Sequence, residues 1–144
     1  MRKRVSHRTV GYGHLYRGRF KAFPVQTDEH LLHVLRYVER NALSAGLVRC
    51  AELWRWGSLW ARDHGDDALK AMVCDGPVAR PKDWTALVNE AISARELDRL
   101  ELSERRNRPY GDDVWLRKTA GTLRLEHTIR SEGRPTKVIK EGAT

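Results

Sequence analysis

Tyr37 is the residue whose type and setting best fit covalent chemistry. It lies between Arg36 and Arg40, and Asn41 follows one helical turn later. A phenol has a pKa of about 10 and is a weak nucleophile unless its charge is stabilised. Arginines are suited to supply that charge and to hold a phosphate. A tyrosine between two arginines therefore fits attack on a phosphodiester through a covalent phosphotyrosine. The same residues also fit a plainer role, a tyrosine at the edge of a core with a wet hydroxyl. From the pattern alone the plainer role is favoured.

The other chemistry-bearing residues are less organised. None of the six histidines falls in an HxH, HExxH or Cys-His zinc pattern. His30 and His33, three apart, have the spacing to share a metal, although an exposed pair on a polar helix face is the commoner outcome. There is no P-loop, no GxGxxG and no serine nucleophile elbow. Cys50 and Cys74 lack CxxC spacing and read as small buried hydrophobes in a reducing compartment. No apolar run reaches membrane-spanning length, and the basic N-terminus leads into no signal-peptide core. These features point to a cytoplasmic chain.

A helix must position Tyr37. Thr27 or Asp28 can cap it, and Gly46 can stop it. Leu31, Leu32, Val34, Leu35 and Val38 form the expected apolar stripe. His33, Arg36, Tyr37 and Arg40 share the opposite face. Before this helix, Phe20 to Val25 reads as a short strand ended by Pro24 and Thr27-Asp28. After it, Trp54, Trp56 and Trp60 are expected to anchor the chain to the core, with base stacking as the other reading.

The rest of the chain divides by composition. Residues 1–61 form the first unit, and 62–83, rich in Asp, Gly and Pro, read as a linker. Residues 84–130 form a helical C-terminal region, and 131–144 a basic tail. Within that region, Trp84, Leu87, Val88 and Ala91 have helical spacing. Ser93 and Glu96 make a capping box, and Asp112 or Asp113 caps a further helix after the turn Arg108-Pro109-Tyr110-Gly111. Helix, tight turn and helix over 94–125 fit a helix-turn-helix-like unit.

Charge says what the partner is. The net charge is +8. The seven basic residues before Asp28 (Arg2, Lys3, Arg4, Arg8, Arg17, Arg19 and Lys21) face no acid. Residues 105–140 carry ten basic residues against four acids, whereas 22–104 carry ten against fourteen. Solubility alone does not need the charge segregated in this way, so a polyanion such as DNA is the better reading. Gly133-Arg134-Pro135 in the tail fits an A·T-rich minor groove or, equally, a plain basic tail.

One stretch is more specific. It runs from Gly13-His14-Leu15-Tyr16-Arg17-Gly18-Arg19-Phe20 through Asp28-Glu29-His30-Leu31-Leu32 to Leu35-Arg36-Tyr37-Val38-Glu39-Arg40-Asn41. It continues in Ala45-Gly46-Leu47-Val48 and Trp54-Arg55-Trp56-Gly57-Ser58-Leu59. Over residues 11–60 this resembles the C-terminal half of the single-tyrosine HUH transposases associated with repetitive extragenic palindromes. The likeness extends loosely through Arg108-Pro109-Tyr110-Gly111-Asp112 to Gly133-Arg134-Pro135.

The resemblance implies DNA transposition, with Tyr37 as the nucleophile that cleaves single-stranded DNA. It implies a divalent metal, Mg or Mn, to which Asn41 would contribute. It also implies single-stranded or hairpin DNA as partner, bound by Arg17, Arg19, Arg36, Arg40, Arg117, Lys118 and Arg134. The family holds its metal with a His-hydrophobic-His strand upstream, and no such triplet occurs here. The expected fold is accordingly mainly α with a short β element. It would be the C-terminal remnant of an α+β, ferredoxin-like transposase domain, followed by a small helical, helix-turn-helix-like region. Such a chain is expected to bind DNA but not to cut it alone. The alternative is a non-enzymatic DNA-binding or regulatory helical module.

Overall fold

Thr27 is extended and caps the first helix, its side-chain oxygen accepting the His30 N–H. Asp28 and Glu29 then place negative charge at the positive end of the helix dipole. The computed structural model describes residues 21–73 and 75–130. Helix α1 spans Asp28–Ser44, followed by a 3₁₀ turn at Ala51–Leu53. Helices α2 (Ser58–His64), α3 (Asp67–Met72), α4 (Trp84–Asn89), α5 (Ala94–Arg106), α6 (Asp113–Thr122) and α7 (Glu126–Ile129) follow. The protein is thus mainly helical. Among the described residues, no helix is long and apolar enough to cross a membrane.

The local stop and start signals behave as their chemistry dictates. Ser93 accepts the Glu96 N–H and Asp112 accepts the Trp115 N–H, capping α5 and α6. Gly46 follows α1 with a φ of +69°, a left-handed conformation in which a side chain is strained. Asn107 ends α5 in the same region, at φ 54°.

The core forms where α1 and α4 meet the 3₁₀ turn and α2. Ala51, Leu59, Trp84 and Val88 are buried there, with Leu32, Leu35, Leu43 and Leu87 packed against them. The buried face of α1 is therefore rotated from the expected stripe, and Val38 is 55% exposed. The cause is polar. Arg36 and Arg40 lie against the C-terminal end of α4, and Glu39 faces the core. Each makes hydrogen bonds that an aliphatic residue could not.

Three further expectations need correction. The strand reduces to a single parallel bridge between Val25 and Tyr110, with no strand among the described residues. Its backbone bonds are Gln26 N–H to Tyr110 O at 3.0 Å and Tyr110 N–H to Pro24 O at 2.8 Å. Pro24 has no N–H to extend the ladder. The 62–83 segment holds the end of α2 and all of α3, because Asp66 caps a new helix by accepting the Leu69 N–H. The three tryptophans do not all anchor the core: Trp54 and Trp60 are half-buried, and Trp56 is 78% exposed. The core indole is that of Trp84. Cys50 is a free, half-buried thiol. Cys74, Phe20 and the 131–144 tail lie outside the described residues.

The bridged segment also locks the α5–α6 turn. Gln26 accepts the Asp112 N–H at 2.7 Å and donates to the Asp112 carboxylate. A Cβ on the buried Gly111 would collide with Gln26 Oε1 and lie 2.7 Å from Trp115 Cε3. Gly111→Ala is expected to lower stability by about 1–3 kcal/mol, as overpacking does. A thermal melt measures this, and an unchanged midpoint would contradict the turn's tightness.

Candidate functional site at Tyr37

Tyr37 and Arg36 are adjacent in sequence but leave α1 in different directions. Tyr37 points toward α5, where its hydroxyl donates to Glu104 Oε2 at 3.0 Å. The hydroxyl borders a cavity of about 760 Å³ lined by Lys21, Tyr37, Asp98, Glu101, Leu102, Glu104 and Arg105. Asp98, Glu101 and Glu104 recur every three residues on α5, so three carboxylates share the cavity wall. Two cations, Lys21 and Arg105, oppose them. Lys21 Nζ also donates to the Arg105 carbonyl at 3.0 Å.

This setting fixes the state of the phenol. Burial, the hydrogen bond to Glu104, and the charges of Glu104 and Glu101 push its pKa up from 10.0 to about 12. Each cause disfavours the phenolate. At neutral pH Tyr37 is a neutral phenol whose proton is already aimed at a carboxylate. Chemically, Glu104 can take that proton as the phenol oxygen bonds to an electrophile, acting as a general base. The acid-rich wall, however, disfavours the approach of a phosphodiester.

The arginines expected to activate Tyr37 are engaged elsewhere. Arg36 donates to the carbonyls of Leu87 at 2.6 Å, Glu90 at 3.0 Å and Ala91 at 3.2 Å. Arg40 donates to those of Val88 at 2.8 Å and Asn89 at 2.6 Å. Together they satisfy the last carbonyls of α4 and place positive charge at its negative dipole end. Their role here is to join α1 to α4.

Comparison with family models, with curated proteins and with solved structures yields no match to this chain.

The remaining candidates are dispersed. Asn41 is exposed on α1, one turn after Tyr37. Among the described residues, no group of three or more His, Cys, Asp or Glu side chains is placed to hold a metal. Asn41 with its described neighbours therefore does not fit a resident divalent ion. His30 and His33 hold their ring centroids 6.2 Å apart with planes tilted by 60°. His30 Nδ1 pairs with Thr27 Oγ1 at 2.7 Å, and His33 Nδ1 lies 3.6 Å from Glu96 Oε1. Burial first, then the nearby His33 and Arg99, hold the His30 pKa below its usual value. Arg117 and Lys118 are exposed on α6 and do not line the Tyr37 cavity. Arg17, Arg19 and Arg134 lie outside the described residues.

Two residues that matter were not singled out in the sequence. Glu104 meets Tyr37 across 67 positions. Its only local signal is the Asp98, Glu101, Glu104 spacing, which reads as an ordinary solvated helix face. Glu39, the second, is nearly fully buried, its side chain only 4% exposed, and gathers partners from three other segments.

Proposed function

We propose that this chain is a cytoplasmic DNA-binding protein of the single-tyrosine transposase type, acting on single-stranded or hairpin DNA, and that by itself it binds DNA without cutting it. In this reading, α1 and the bridged segment before it correspond to part of a ferredoxin-like transposase domain. Helices α5 and α6 correspond to a helix-turn-helix-like unit.

The observation that carries the proposal is the outer face of α6. Val114, Arg117, Lys118 and Gly121, spaced as neighbours on one helix face, are all exposed, and none is acidic. Leu116 and Ala120 are buried on the other side. Arg124 and Arg130, exposed just beyond, add two cations against one exposed acid, Glu126. The exposed acid of α6, Asp113, stands in its first turn, where it suits the positive end of the helix dipole. An exposed face of two cations, a glycine and a valine offers phosphate contacts with room for close approach. The acid-rich wall around Tyr37 and its pKa of about 12 favour a binder over a nuclease.

Salt dependence of binding tests the proposal. Affinity for a DNA hairpin is expected to fall linearly on a log–log plot as salt rises. The Arg117→Ala, Lys118→Ala double variant should reduce that slope by roughly 1.5–2, for two lost phosphate contacts. Both side chains are exposed, so the melting temperature should stay put. No binding at low salt would refute the DNA reading, and an unchanged slope would remove α6 from it.

A further inference from the structure

Trp56 is the most exposed of the large aromatic side chains described, at 78%. Arg55 lies over it, with its guanidinium carbon 5.4 Å from the ring centroid. The indole borders a groove of about 670 Å³ between the 54–57 turn and helices α2 and α3. A second flat surface lines the same groove: Trp60 and His64 stack with centroids 5.5 Å apart and planes 17° from parallel. Leu69 and Met72 complete an apolar wall.

We infer that this groove is a base-stacking site for single-stranded DNA, with Trp56 as the main platform and Arg55 as the cation beside it. The inference rests on the DNA-binding proposal above and adds to it a site separate from both Tyr37 and α6. Isolated exposed apolar residues are common and mean little. Here the exposed indole instead shares a groove with a second aromatic stack and one basic side chain, Arg55. That is the chemistry of single-strand recognition, in which bases stack on aromatic rings and a cation meets the phosphate. The groove's one acid, Asp66, is occupied as the cap of α3, accepting the Leu69 N–H at 2.8 Å. Arg55 at the groove supplies a cation for a phosphate, which an uncharged apolar segment would not engage.

Indole fluorescence provides the test, because a stacked base quenches it. The full chain would be titrated with oligothymidylate, which pairs with nothing and presents only stacking faces and phosphates. Wild type is expected to bind with quenching. Trp56→Ala should lose roughly ten-fold or more in affinity along with much of the quenching, the range for one lost base stack. Trp56→Phe, which keeps a ring, should retain most of the affinity. Neither change should move the melting temperature of so exposed a residue. Wild-type binding with an unaltered Trp56→Ala affinity would overturn the stacking site and leave the DNA proposal standing. Failure of wild type to bind any DNA would overturn both. Self-association by sedimentation that Trp56→Ala abolishes, without quenching by DNA, would assign the groove to a second copy and overturn the inference.

Discussion

Glu39→Ala is expected to destabilise the protein by about 3–5 kcal/mol, the cost of removing one partner from a buried charged network. Glu39 sits on the core side of α1 between Leu35 and Leu43, and its side chain is 4% exposed. Oε1 accepts from Ser58 Oγ at 2.6 Å and lies 3.4 Å from both Arg62 and Arg80. Oε2 accepts from Trp84 Nε1 at 2.6 Å. One carboxylate thus ties α1 to α2, to α4 and to the segment between α3 and α4. Its loss would strand the core indole N–H and leave two partly buried guanidiniums without their shared anion. Glu39→Gln keeps an acceptor but loses the charge, so a smaller loss is expected, since a neutral hydrogen bond is weaker than a charge-assisted one. Urea denaturation measures both variants. A loss below about 1 kcal/mol for Glu39→Ala would mean the network is not buried in solution. The wild-type curve matters too: a single cooperative transition would exclude a partly folded remnant.

Glu39 also shows what a sequence can and cannot reveal. The cap at Ser93 is legible, and those at Thr27 or Asp28 and at Asp112 or Asp113 to within one residue, because cap and target N–H are three residues apart; Thr27 and Asp112 are the ones used. Gly46 was legible because a positive φ favours glycine locally. Long-range partners leave no such trace. Glu39 reads as solvated until Trp84, 45 positions on, is brought beneath it. Arg36 and Arg40 read as phosphate ligands on a polar face, yet the nearest anionic character they meet is the end of α4. The alternation before Thr27 promised a strand, but a strand exists only where a partner backbone runs alongside. Here Tyr110 offers one residue. Residue type predicts Trp56 in the core, whereas Trp84 supplies the core indole. For Tyr37, its helix and its polar surroundings could be read. The sign of the charge around it could not.

That sign makes a second strong expectation. In Glu104→Gln, the Tyr37 pKa should fall from about 12 part of the way toward its ordinary 10.0. The charge of Glu104 would be gone and its hydrogen bond reduced to a neutral one, while burial, the largest cause, would stay. Each full unit of fall raises the phenolate fraction at neutral pH about ten-fold. Difference absorbance of tyrosinate against Tyr37→Phe isolates this group from the chain's other three tyrosines. An unmoved pKa would mean Glu104 is not its partner. The linked stability follows the same sign. A phenol whose folded pKa lies above its unfolded value stabilises the fold fully below about pH 10, and that stabilisation is lost as pH rises toward about 12. Glu104→Gln should therefore flatten part of the alkaline decline.

Reactivity depends on the same contact. Cleavage would form a bond from the Tyr37 oxygen to phosphorus and break the bond from phosphorus to O3′. The products are a 5′-phosphotyrosine and, once protonated, a free 3′-hydroxyl, with the phenol proton passing to Glu104. That transfer takes a proton from a phenol whose pKa is about 12, beside carboxylates that would repel a phosphodiester. Wild-type protein incubated with single-stranded hairpin DNA and Mn²⁺ or Mg²⁺ is thus expected to give no covalent adduct. An adduct that disappears in Tyr37→Phe would show that something recruits the phenol despite its acidic surroundings, and the binding-only reading would fall.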